Sequence, residues 1–105
     1  MHIMIVNFHL QHLAEADYMR ACEQQIAAAF RAVPGLVSKI WLRNAETNTY
    51  GGVYVWESRR AMENFRQSEL GQSVGKSPHF AGVTMSDFDV LEAPTRITNG
   101  MPVMA

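Results

Sequence analysis

The chain opens on a two-residue rhythm. From His2 to Leu10, Met4, Val6 and Phe8 fall at one parity and Ile3, Ile5, Asn7 and His9 at the other. That period predicts a strand, apolar on its first face and turning polar only at the end of its second. The rhythm then changes. Tyr18, Cys22, Ile26 and Phe30 recur every four residues, with Met19 and Val33 widening the stripe, which predicts a helix over Ala14 to Val33. Glu15 and Asp17 suit the positive end of its dipole. Pro34-Gly35 stops it, because proline disfavours helical geometry at the residue before it. Leu36 to Glu46 alternates again: Val37, Lys39, Trp41 and Arg43 share one face, and Leu36, Ser38, Ile40 and Leu42 the other. A turn at Thr47-Asn48-Thr49 leads into a third strand, Tyr50 to Glu57. Gly52, Tyr54 and Trp56 share one of its faces, and the short link implies an antiparallel hairpin.

Ser58 is placed to cap a second helix over Arg59 to Gln67, with Ala61, Met62 and Phe65 inward. The segment 68–79 carries Gly71, Gly75 and Pro78 and reads as a broken helix and a loop. A fourth strand is expected from Gly82 to Leu91, with Val83, Met85, Asp87 and Asp89 on one side. One domain therefore spans 1–99, followed by an irregular tail over 100–105.

The order β-α-β-β-α-β predicts a ferredoxin-like α+β fold: a four-stranded antiparallel sheet with both helices on one face. The other face is not cleanly polar. Whichever face each strand presents there, it takes large residues such as Ile5, Trp41, Tyr54 or Trp56. Exposed apolar area of that size marks an interface or a ligand site. A symmetric homodimer, sheet against sheet, is the commonest cover.

Composition narrows the partners. At 105 residues there is room for one good core. With 48% hydrophobic and 18% charged residues the chain is globular. A net charge of -1 with no run of like charges argues against a nucleic-acid partner. The single cysteine, Cys22, cannot cross-link its own chain and reads as a small core residue of the helix stripe. The apolar start carries no Lys or Arg before it and is too short for a signal peptide or a membrane span, so a cytoplasmic protein with no membrane partner is expected.

The candidate chemistry centres on Asn7 and His9. Two apart on a strand, they point the same way. Histidine can exchange a proton near neutral pH, and an Asn amide can hold a developing oxyanion. Trp41, Tyr54 and Trp56 on the middle strands, with Phe65 on the second helix, offer flat walls for a small apolar or aromatic ligand. His79, after Pro78, is a further candidate ligand contact near the pocket mouth. His9 and His12 lack a third ligand, so no metal is expected. No nucleophile elbow, phosphate loop or dinucleotide fingerprint is present.

Three ordered segments carry a resemblance: Pro34-Gly35-Leu36 with Lys39-Ile40-Trp41, then Gly51-Gly52-Val53-Tyr54-Val55-Trp56, then Phe88-Asp89-Val90-Leu91-Glu92-Ala93-Pro94. The chain resembles the small monooxygenases of the dimeric α+β barrel superfamily. The resemblance implies a homodimeric barrel and a cofactor-independent oxygenase acting on a phenolic, polyketide-like molecule. On that reading His9 is the base and Asn7 steadies the phenolate with Tyr54 or Trp56. A haem-degrading branch of the superfamily carries an Asn on strand one, a Trp on helix two and a His further on. Asn7 matches the first, but Phe65 stands for the Trp and Gly75 or Lys76 for the His. No cofactor is therefore expected. A non-catalytic ligand-binding module, or a lyase or isomerase on the same barrel, remains an alternative, because function resides in the site and not in the fold.

Overall fold

The computed structural model describes residues 1–100. Apart from Gly100, the expected irregular tail lies outside the described residues. The elements run β1 (His2–Leu10), α1 (Glu15–Ala21), a π-helical segment (Cys22–Ile26), α2 (Ala27–Arg31), β2 (Leu36–Asn44), β3 (Thr49–Trp56), α3 (Arg59–Gln67), α4 (Glu69–Lys76), β4 (Phe80–Asp89) and α5 (Glu92–Ile97). The sheet order is β2-β3-β1-β4, with every neighbouring pair antiparallel. This is the ferredoxin-like architecture the alternating pattern predicts.

The long first helix is one stripe with a wide turn in its middle. On a helix of 3.6 residues per turn, a four-residue repeat drifts by roughly 40° at each step. The π turn at Cys22–Ile26 takes up the excess. Tyr18 and Phe30, at the two ends of the stripe, are both buried as a result. The second helical region is also two elements. The Ser58 hydroxyl accepts from the Ala61 amide at 3.1 Å and starts α3. The Ser68 hydroxyl accepts from the Gly71 amide at 3.1 Å and starts α4, where the sequence suggests a broken helix. α5 is an element the sequence pattern does not predict.

The covered face of the sheet carries Met4, Val6, Phe8, Tyr50, Tyr54 and Trp56, all buried beneath the helices. Register assigns the opposite face to Ile3, Ile5, Asn7 and His9 of β1, Val53 and Val55 of β3, and Ser86 and Phe88 of β4. A register shift between Leu36 and Ser38 turns Leu36 to the covered side, away from Ser38, Ile40 and Leu42. The expectation of large residues on the uncovered face holds for Ile5 but not for Trp41, Tyr54 or Trp56. Those three pack or line the covered side, because they share register with Gly52 and with β1's buried parity. The uncovered face is apolar all the same: Ile40 is 59% exposed and Phe88 54%, and Leu91 and Ile97 beyond them are exposed too. Among the described residues no helix is long and apolar enough to cross a membrane.

Candidate functional site

The helices meet the covered face over rings that do not tile flat. Phe8 stacks on Phe80 with centroids 4.0 Å apart, and Tyr18 stands edge-on to both. Phe30 stands edge-on to Trp41 and Tyr54 at 5.7 Å. Between these two groups lies an inner chamber of about 120 Å³, reached by Tyr18, Cys22, Trp41 and Tyr54. An adjoining groove of about 320 Å³ runs between α1 and the β2–β3 hairpin and shares Tyr18, Cys22 and Trp41 with it. Arg43 stands in that groove, paired with Glu15 of α1.

Lys39 of β2 enters the chamber from the sheet. Its Nζ lies 3.4 Å from the Phe30 ring centroid, 3.5 Å from that of Trp41 and 4.5 Å from that of Tyr54. Gly52 makes room for it, and Gly51 lets β3 approach β1. A Cβ on Gly52 would stand 2.9 Å from Lys39 Cε, and one on Gly51 would strike the Val6 carbonyl oxygen. Burial pushes the Lys39 amine down to about 7. The negative ring faces favour the ammonium and work against that shift. Burial also raises the Tyr18 and Tyr54 phenols and the Cys22 thiol above their ordinary values, so these stay protonated near neutral pH. Lys39 is thus the chamber group poised to exchange a proton there.

The residues singled out from the sequence divide. Trp41 and Tyr54 line the chamber. Phe65 and Trp56 stand behind it as core. Trp56 is fully buried, stacked on Tyr54 at 6.0 Å, and its Nε1–H has no partner among the described residues. Phe65 packs against Phe30, Tyr54 and Trp56. Asn7 and His9 lie on the uncovered face, with the sheet itself between them and the aromatic walls. The expected convergence of Asn7 and His9 with Tyr54 and Trp56 therefore does not occur, because adjacent parities of a strand point to opposite faces. His9 is exposed, and its Nδ1 bonds the Asn48 carbonyl at 2.9 Å. His79 fastens the loop after β1, its carbonyl accepting from the Gln11 amide at 2.9 Å and its ring meeting the Gln11 carbonyl at 3.3 Å. Among the described residues no three His, Cys, Asp or Glu side chains are placed to hold a metal ion.

The family described as "putative mono-oxygenase ydhR" has a model that matches residues 3–101. The chain belongs to the ydhR family. No curated protein matches it. Among solved structures, a putative antibiotic biosynthesis monooxygenase from Deinococcus radiodurans superposes at TM-score 0.71, with 16% identity over 100% of both chains. SnoaB, a cofactor-independent oxygenase from Streptomyces nogalater solved as a point mutant, gives 0.66 and 20% identity, covering 88% of this chain and 95% of its own. A point mutant of MhuD, with two manganese protoporphyrin IX molecules bound per active site, gives 0.67 and 20%, covering 87% and 95%. At these identities the likeness establishes the shared fold.

In this ydhR-family chain the positions of the haem-degrading pattern do not come together. Asn7 faces away from the chamber, Phe65 is packed core, and Gly75 and Lys76 at the end of α4 supply no imidazole. The residues that the sequence reading passed over are Lys39, Tyr18, Cys22 and Gly52. A signal did exist for Lys39: it shares parity with Trp41 and lies across the hairpin from Tyr54. A charged residue at an aromatic parity is a candidate for a functional pocket.

Proposed function

We propose that this chain is a monooxygenase acting on a planar phenolic or polyketide-like small molecule, with dioxygen as co-reactant and no cofactor of its own. The observation that carries the reading is the aromatic-walled chamber and its adjoining groove, in a chain of a monooxygenase family. The groove alone reaches the size range of small-molecule sites. A phenol or anthrone held there loses a proton, and its electron-rich anion reduces dioxygen directly. One oxygen atom enters the product as a new carbonyl, the other leaves as water, and the electrons come from the substrate.

Oxygen uptake with a panel of phenols and anthrones, with labelled dioxygen to follow the inserted atom, tests the reading. Uptake with label in the product is expected. Turnover under nitrogen would point instead to a lyase or isomerase, and binding without turnover to a carrier module. The working unit in this proposal is a homodimer, paired through the apolar uncovered face around Ile5, Ile40, Val53 and Phe88. Size-exclusion with light scattering is expected to give a dimer at micromolar concentration, and a monomer would overturn the pairing.

A further inference from the structure

Lys39 is a cation with half of its environment supplied. The three ring faces accept its charge, but they offer no lone pair to its N–H donors. Among the described residues it has no ion-pair partner, and none of those lining the chamber is Asp or Glu. The adjoining groove is different. Its Arg43 already holds Glu15, and its Glu23 is exposed to water. The uncompensated charge is therefore inside, on the chamber wall. A half-buried ammonium without a carboxylate is costly for the folded chain. It becomes favourable once an anion arrives to complete the pair.

The rings also select against other ligands. The cage is filled by the chain's own cation, so a cationic guest would be repelled. The walls are flat and apolar, which suits a planar guest. We propose that Lys39 is the oxyanion-recognition group of the chamber, and that the ligand is a planar aromatic with an acidic hydroxyl, held as its phenolate or enolate against Nζ. The inference rests on the chamber being the binding site and adds the ligand's charge and the residue that reads it. The proton balance is simple. The neutral amine takes the hydroxyl proton, the O–H bond breaks as the N–H bond forms, and an ammonium–oxyanion pair results. Burial holds the amine near neutrality, so both of its forms are present at working pH.

The test uses 4-nitrophenol, whose phenolate is coloured, and nitrobenzene as the neutral analogue that lacks the hydroxyl. With the wild-type protein, the phenolate colour of the bound probe is expected to appear at lower pH than in buffer, and the phenolate to bind more tightly than nitrobenzene. Lys39→Met is expected to weaken phenolate binding by about tenfold or more, equivalent to about 1.4 kcal/mol, and so to remove the preference for the phenolate over nitrobenzene. Lys39→Arg keeps the charge and is expected to retain most of the preference. An unchanged phenolate affinity in Lys39→Met would overturn the inference while leaving the chamber as the binding site. If the wild type binds neither probe, the chamber reading falls and takes the inference with it. The wild type also decides without any variant: nitrobenzene bound as tightly as the phenolate overturns the assignment of Lys39.

Discussion

The two faces of the sheet are both apolar, yet they are built from different residues. The covered face carries Phe8, Trp41, Tyr50, Tyr54 and Trp56. The uncovered face carries Ile3, Ile5, Ile40, Val53 and Val55, with the Phe88 phenyl ring beside them. Flat rings meeting edge-on under curved helices leave space between them, and that space is the chamber. Aliphatic side chains on a pleated surface pack without such gaps and suit a second sheet. On the proposed reading, the difference separates the face that would hold a ligand from the face that would meet another copy of the chain. Each can be disturbed without the other.

The largest effect is expected on the covered face. Trp56→Ala removes a fully buried ring that packs on Tyr54 and Phe65 and should cost about 3–5 kcal/mol in urea unfolding. Trp56→Phe should cost far less, since it also removes an N–H that has no partner among the described residues. Equal losses in the two variants would mean that the indole N–H is bonded after all.

Charges on the uncovered face should act on pairing and spare the subunit. The double variant Ile40→Glu, Phe88→Glu replaces two exposed residues, so the fold should survive with unchanged circular dichroism. Burying two like carboxylates in an interface should raise the dimer dissociation constant by roughly a hundredfold or more, about 3 kcal/mol. Light scattering across a dilution series reads this directly. An undisturbed dimer would show that the copies pair through another surface, and loss of the fold would show that this face supports the subunit itself.

These two faces were unequally legible in the sequence. Strand and helix periods located β1 and α3 to the residue, because His2–Leu10 alternates strictly and Ser58 caps Arg59–Gln67. The parity within β1 was plain as well. What the sequence could not supply was the mutual registration of strands. Asn7 and Tyr54 each looked fit for a pocket, but only the β1–β3 pairing, with Met4 opposite Tyr54 and Asn7 opposite Gly51, puts them on opposite faces. The bulge at β2 hid Leu36 in the same way. Lys39 was visible as a residue but not as a site. Its chemistry depends on Phe30, brought from a helix nine residues upstream in the chain.

Lys39→Met sharpens the comparison from the ligand face. In the folded chain the amine lies near 7, below its ordinary value of 10.5. Between those values the unfolded Lys39 binds more protons than the folded one, so its contribution to wild-type stability should rise with pH across that window, while the raised Cys22 and tyrosines act the other way only from about pH 9 upward. The variant should lack this rise. At neutral pH it should be more stable than the wild type by about 1–2 kcal/mol, because an apolar side chain of similar length fills the cage without an unpaired charge. Urea midpoints at neutral pH and near pH 9 provide the measurement. A wild type with no rise would mean that the rings hold the ammonium as well as water does.

The smallest effect is expected from His9→Ala, and it places the chemistry. His9 is exposed on the uncovered face, and its ring makes one bond to the Asn48 carbonyl across the hairpin turn. Losing that bond should cost about 0.5–1 kcal/mol. The sheet separates His9 from Tyr54 and Lys39, so with an active phenol the oxygen-uptake rate should change by less than about twofold. A general base is worth about 10²–10⁴-fold. A loss of that size in His9→Ala, with Lys39→Met still active, would move the reaction to the uncovered face. There Asn7 and His9 stand together, and a second copy would have to supply the opposite wall.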